Sequence, residues 1–262
     1  MKRVQVAALV VSSCILLIGC KEEPPPPAEA PPEVITAGEM VEVPAGEFLM
    51  GSNVDGTGKP TKEGLFLPQR KVTLPTFWID KWEVTNGDIL KFTTEGDYQV
   101  EGDWRTFYAL GKEDLPVANI TWNDAKAYCE WAKKRLPTEA EWEKAGRGTD
   151  GRDYPWGNEW NPSKTNTNES GNGGLVGVGR YPADSSPFGV RDMQGNVQEW
   201  VFDELKAYPG GPSDASFKRG FKAARGASYA YKGAVTKVWN RGGYLAKGQY
   251  GTGCRCASDT KP

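Results

Sequence analysis

No histidine occurs anywhere in the 262 residues. That absence removes the side chain that titrates nearest neutrality, so imidazole bases, serine–histidine pairs and histidine-held iron centres are excluded. Cysteine is scarce: there are five, and two of them, Cys14 and Cys20, fall within the first twenty residues. Only Cys129, Cys254 and Cys256 remain for the rest of the chain. An excess of one charge is also missing, with 32 basic and 34 acidic side chains. Removing residues 1–19 takes away Lys2 and Arg3 and no acid, which leaves 30 basic and 34 acidic groups. A mildly negative balance argues against nucleic acid as a partner and against electrostatic adhesion to membranes. Phosphate loops, GxSxG elbows and carboxylate pairs at a recognisable catalytic spacing are absent, as is any repeat at a fixed period. General acid–base work would fall to carboxylates, lysines or tyrosines.

What is present begins with Lys2 and Arg3 before an apolar run from Val4 to Gly19, too short and wrongly flanked for a transmembrane helix. Residues 1–19 read as a signal peptide. Leu17, Ile18, Gly19 and Cys20 resemble a bacterial lipoprotein cleavage box, which implies lipid on Cys20, and Lys21 after it resembles lipoproteins sent on to the outer membrane. The expected location is the cell envelope, with the protein lipid-anchored and facing the periplasm or the exterior. KEEPPPPAEAPPE (Lys21–Glu33) has almost nothing apolar to bury, so residues 20–37 read as the lipidated cysteine and a proline-rich tether. Residues 38–262 then suit one large domain, and its glycine, proline and tryptophan content predicts a loop-rich architecture.

Two helices are legible inside it. TWNDAKAYCEWAKK offers Thr121 as an N-cap, followed by Trp122, Ala125, Cys129 and Ala132 at helical spacing. KRLPTEAEWEKAGRG places Pro137 where a preceding helix must end. Thr138 and Glu141 then form a capping box, so a new helix starts at Thr138 and is expected to stop at Gly146.

That pair of segments, in that wording, resembles the formylglycine-generating enzyme family, also called sulfatase-modifying factors. The resemblance extends over seven blocks in the family's order: MVEVPAGEFLMGS (Met40–Ser52), an opening strand; FWIDKWEVTNGDILKF (Phe77–Phe92), a second strand and first helix; the two-helix block; the PWG at Pro155; FGVRDMQGNVQEW (Phe188–Trp200); RGASY (Arg225–Tyr229); and GCRCA (Gly253–Ala257). It implies a mixed α/β (α+β), C-type-lectin-like fold poor in regular structure. It also implies a disulfide between Cys129 and Cys256. Cys254 replaces the phenylalanine of the family's GFRCA. As the i and i+2 neighbours on a strand, Cys254 and Cys256 share a face, so Cys254 competes with Cys256 rather than pairing with it. A buried apolar thiol and a three-thiolate metal site are both open to it.

In the formylglycine-forming members, two cysteines beyond the RGGS-like turn hold copper(I). The matching positions here are Tyr231 and Thr236, so the resemblance argues against copper and against that reaction. Ser228 is the retained pocket residue, and Gln198 stands where relatives have a tryptophan. Relatives bind calcium at positions matching Asp192, Gly195, Val197 and Glu199, two carboxylates and two carbonyls, a donor set apt for that ion. A second family calcium site falls on Asn166, Thr167, Ser170 and Asn172, where Ser170 replaces an expected aspartate. Tyr229, Tyr231, Trp239 and Tyr244 lie around the family's substrate groove and are either groove walls or core, whereas Trp122, Trp131, Trp142, Trp156 and Trp200 read as core.

Two functions compete on this basis. One is a lipid-anchored, calcium-stabilised binding or scaffolding module for a peptide, an envelope protein or a glycan. The other is an oxidoreductase of the same family that uses Cys254 or an added metal.

Overall fold

A computed structural model describes residues 36, 38–108, 111–212, 217, 220–247 and 251–262. The signal segment, Cys20 and all but one residue of the tether lie outside the described residues. One compact unit runs from Glu33 to Pro262. In chain order its elements are β1 (Met40–Val43), β2 (Gly46–Met50), β3 (Arg70–Leu74), β4 (Phe77–Asp80), α1 (Asn86–Glu95), α2 (Trp122–Trp131), α3 (Glu139–Arg147), β5 (Gln198–Glu204), β6 (Phe221–Arg225), β7 (Arg241–Leu245), β8 (Thr252–Cys254) and β9 (Ala257–Ser258). The architecture is mixed α/β and rich in loops. Among the described residues no helix is long and apolar enough to cross a membrane.

The strands form three small sheets, ordered β1-β4-β9, β2-β3 and β7-β6-β5-β8. The expected opening strand, Met40–Ser52, is two strands. Pro44 cannot donate to a ladder, and beyond it the chain leaves β4 and pairs instead with β3, Gly46 opposite Leu74. In the four-stranded sheet β5 runs parallel to β8, with Gln198 opposite Thr252, and antiparallel to β6, with Glu199 opposite Arg225. This register puts the start of β5, the end of β6 and β8 side by side.

All three helices begin with capping boxes. The Thr121 hydroxyl accepts from the Asp124 amide at 3.0 Å, and the Thr138 hydroxyl accepts from the Glu141 amide at 3.2 Å while a Glu141 carboxylate oxygen takes the Thr138 amide at 2.7 Å. The stop of α3 differs from expectation. Gly146 is inside the helix, where a Cβ would lie 2.8 Å from Val238, and the terminator is Gly148 at φ +72°. Gly146 is therefore a packing glycine, and only Gly148 takes the left-handed conformation.

Helix α3 is buried along nearly its whole length despite its charges. Arg225, itself fully buried, reaches Glu139 at 3.4 Å and also pairs with Glu143, while Arg147 meets Glu143 at 3.1 Å and Arg241 meets Glu139 at 2.5 Å. Lys144 donates to the carbonyls of Pro44 and Gly46 at 2.6 and 3.0 Å, and Arg147 to those of Leu49 and Gly51 at 3.0 and 2.6 Å. These long-range contacts fix the β2-β3 hairpin and β6 to one helix. Burying so many charges is tolerable only because each finds a partner.

The Cys129–Cys256 disulfide, which closes a sequence separation of 127, ties α2 to the chain between β8 and β9, so Cys254, at the end of β8, and Cys256 do not share a strand as expected. Beside it, Arg135 and Ala257 exchange backbone hydrogen bonds of 2.9 and 2.7 Å.

Candidate functional site

The candidate pocket residues meet where β5, β7 and the loop after β6 converge. Gly226, at φ +77°, turns the chain out of β6 against the ring of Trp142 and delivers Ser228 and Tyr231. The Tyr231 amide donates to the Ser228 carbonyl at 3.0 Å, and Ser228 is buried, its hydroxyl 3.3 Å from the Ala230 amide. Tyr244, on β7, donates its phenol to Gln198 Oε1 at 2.8 Å, and its oxygen lies 3.1 Å from that of Tyr231. Gly242 makes room for this contact, since a Cβ there would sit 2.7 Å from Gln198 Nε2.

The result is a chain of neutral oxygens, Tyr231 to Tyr244 to Gln198. Burial, then the hydrogen bond with Tyr231, holds the Tyr244 phenol above its ordinary range, so it stays protonated at neutral pH. Such groups donate and accept hydrogen bonds but offer no soft electrons to a metal.

Thr236 does not join them, because its hydroxyl donates to the Lys232 carbonyl at 2.9 Å. Trp239 belongs to the core rather than the groove: it is fully buried, lies edge-on to Phe66 at 4.6 Å and donates its indole to Asp153 at 3.0 Å. Tyr229 is half-buried, with its amide on the Asn196 carbonyl at 2.9 Å. Of the expected core tryptophans, Trp122, Trp142 and Trp200 are buried, while Trp131 and Trp156 are half-buried.

Among the described residues no cysteine thiol is available to the pocket. Cys129 and Cys256 form the disulfide, and Cys254 is free but fully buried, where burial and then Glu199 push its thiol well above the usual range. A thiol that stays protonated and shielded is a poor nucleophile and a poor ligand.

Asp192 and Glu199 come together with three residues that the sequence reading did not single out: Glu83, Asp184 and Arg255. Arg255 Nε donates to Glu199 Oε2 at 2.7 Å and its Nη2 to Oε1 at 2.8 Å, and the Trp142 indole adds a bond of 2.7 Å to Oε2. Glu83 accepts from the Val197 amide at 3.1 Å and from Asn196 at 2.8 Å. Asp192, at φ +54°, accepts from the Gly179 amide at 2.6 Å.

Burial raises the carboxyls of Glu83, Asp184 and Asp192, the last to about 6; repulsion from Asp192 adds to it at Glu83 and Asp184, and repulsion from Glu199 adds to it at Asp192. Four buried carboxylates thus surround one fully buried guanidinium. The available signal was Arg255, a charge inside the otherwise apolar GCRCA block; Glu83 stands among other charges and carries no such mark. Among the described residues no three His, Cys, Asp or Glu side chains are arranged to hold a metal by themselves. Of the expected oxygen donors, both Glu199 oxygens are taken by Arg255 and Trp142 and one Asp192 oxygen by the Gly179 amide, which leaves the other Asp192 oxygen and the backbone carbonyls.

The second oxygen set also assembles, but it closes on itself. Ser170 Oγ and Asn172 Nδ2 donate to Asn166 Oδ1 at 3.1 and 3.0 Å, and Ser170 Oγ lies 2.7 Å from the Thr167 carbonyl. Amide and hydroxyl donors thereby occupy the acceptors that a cation would need.

The family model described as "Sulfatase-modifying factor enzyme 1-like domain" matches residues 26–260. Mouse inactive C-alpha-formylglycine-generating enzyme 2 is 33% identical over 241 residues, covering 71% of this chain and 73% of that protein. Mouse formylglycine-generating enzyme is 30% identical over 298 residues, covering 88% of this chain and 78% of the relative. Among solved structures, PvdO from Pseudomonas aeruginosa superposes with a TM-score of 0.70 at 29% identity, over 84% of this chain and 94% of that one.

Proposed function

Given that the chain belongs to the sulfatase-modifying factor family and has its C-type-lectin-like fold, we propose that it is a non-catalytic binding or scaffolding module, anchored in the cell envelope through lipid on Cys20. The observation that carries this reading is the Tyr231–Tyr244–Gln198 oxygen chain, which stands where the family resemblance calls for a copper thiolate. The burial of Cys254, the one free thiol among the described residues, supports it further. So does the description "inactive" carried by the mouse and bovine relatives.

The ligand in this reading is a peptide segment, an envelope protein or a glycan, bound by hydrogen bonds to the phenols and amide of the groove. Asp192 and Glu199, with the carbonyls of Gly195 and Val197, would hold calcium. The ion would neutralise the buried carboxylates and stiffen the turn that leads into β5.

The test is direct. Full-length protein is incubated with a cysteine-containing sulfatase peptide, copper and oxygen, and the peptide is weighed by mass spectrometry. The peptide mass should not change relative to a control without protein. A copper-dependent mass loss matching conversion of thiol to aldehyde would establish an enzyme and end the non-catalytic reading.

A further inference from the structure

The loop between β6 and β7 carries Tyr231 into the groove, yet no sheet holds that part of the chain. A neighbouring turn, Asn168–Ser170, fixes its backbone instead. The Asn168 amide donates to the Tyr231 carbonyl at 3.0 Å. The next residue, Glu169, accepts from the Gly233 amide at 2.9 Å and from the Ala234 amide at 3.3 Å, one on each carboxylate oxygen. Among the described residues, Glu169 supplies the only charged side chain bonded to the backbone of residues 230–236. Hydrogen bonds to a carboxylate are about twice as strong as neutral ones.

Close approach is what lets this clasp form. A Cβ at Gly233 would lie 2.1 Å from Trp160 and 2.8 Å from Thr167, so the loop lies flat on the turn only because residue 233 has no side chain. The base of the clasp is firm. Thr165, Asn166 and Thr167 are buried, and Asn166 gathers the Ser170 and Asn172 side chains while donating to Asn196 at 3.0 Å. The Thr167 hydroxyl steadies Glu169 Oε2 at 3.0 Å. The second oxygen set, closed on itself, thereby supports the residue that reaches the loop. Glu169 itself is exposed, so its removal leaves neither a cavity nor an unpaired buried charge.

Held at its own carbonyl and again two and three residues on, Tyr231 has little freedom, and its phenol meets Tyr244 at 3.1 Å. Without Glu169 the stretch beyond Tyr231 would keep only the Tyr154 hydroxyl on the Ala234 carbonyl, at 2.7 Å, before Gln194 takes the Thr236 carbonyl at 2.6 Å.

We propose that Glu169 is the positioning residue of the groove, holding the loop after β6 so that Tyr231 is presented to Tyr244. The proposal rests on the reading of the groove as a hydrogen-bonding surface for its consequence alone: a ligand that needs both phenols needs Glu169 as well.

Nitration of the full-length protein with tetranitromethane, followed site by site through peptide mass mapping, reads the loop directly. In Glu169→Ala, Tyr231 should be nitrated about fivefold faster, the factor by which one ordinary hydrogen bond shifts a local opening equilibrium. Tyr244, which loses its partner, should follow. Tyr108, half-buried and outside the groove, should keep its rate. Glu169→Gln, whose amide still offers one acceptor oxygen, should restore part of the protection. Glu159→Ala, which removes an exposed carboxylate that the loop does not use, should change nothing. An unchanged rate at Tyr231 in Glu169→Ala would overturn the proposal. So would an equal rise at Tyr108, which would mean that the whole fold had loosened. The copper and sulfatase-peptide assay on unaltered protein stands apart, since a reaction there would end the non-catalytic reading and leave the clasp as nitration finds it.

Discussion

Opening the Cys129–Cys256 bridge should be the largest single loss of stability available in this molecule. The cross-link spans 127 residues of sequence. With loop-closure entropy growing as the logarithm of loop length, a loop of that size is worth about 5 kcal/mol at 25 °C. That is a large share of a typical domain's 5–15 kcal/mol. The effect resides mainly in the unfolded chain, which gains freedom when the link is cut. The native contacts around it are partly independent, since Arg135 and Ala257 still hold the link between α2 and α3 to the last strand. Cys129→Ala/Cys256→Ala should therefore fold, and its urea midpoint should drop sharply. Its m-value should rise, because the unlinked unfolded state is more expanded. Reduction of the unaltered protein should give a similar loss. A change below about 1 kcal/mol with an unaltered m-value would refute the loop argument. A Cys129–Cys254 link on non-reducing peptide mapping would refute the pairing itself.

Arg225→Met strips the guanidinium lying between Glu139 and Glu143. Arg147 and Arg241 remain to share those carboxylates, so the cost should sit at the low end of the buried-pair range, about 3 kcal/mol by urea unfolding. By contrast, Lys126→Met, in an exposed pair with Glu130, should leave the midpoint unmoved. Thermal melting should rise in calcium and fall back with chelator, by about 2.7 kcal/mol at a hundredfold excess over Kd. Asp192→Asn with Glu199→Gln should abolish that shift, and identical melting in calcium and chelator would mean the turn is only structural. Cys20→Ser should release the protein from membranes or leave it unprocessed. Unchanged membrane retention and mass would dispose of the lipid anchor.

What could be read from the sequence was mostly what is decided within a few residues. The N-cap at Thr121 and the capping box at Thr138 depend on side chains three positions apart, and both form as expected, Thr121 adding a full box with Asp124. The end of α3 was misjudged by two residues because packing against Val238 and Met193, a tertiary matter, decides which glycine stays helical. The break between β1 and β2 is a choice of partner strand, which spacing does not encode. At the site, the resemblance supplied Asp192, Glu199 and Gln198, but not the company they keep. Arg255 lies 56 residues from Glu199, and Glu83 lies 113 from Asn196. Trp239 could be read as groove or core because a ring's burial is a property of the whole fold.

Helix α3 bears on how chains of this kind are grouped. The stretch that makes the family recognisable, from Lys134 to Gly148, spends most of its glutamates and Arg147 on holding hairpin, helix and sheet together in the buried interior. A polar-looking signature that invites a chemical interpretation is here a joinery mark. The stretch therefore marks the frame rather than a reaction. The tools of the reaction, where they exist, sit in the loop after β6, where a handful of substitutions can remove them while the frame stays intact.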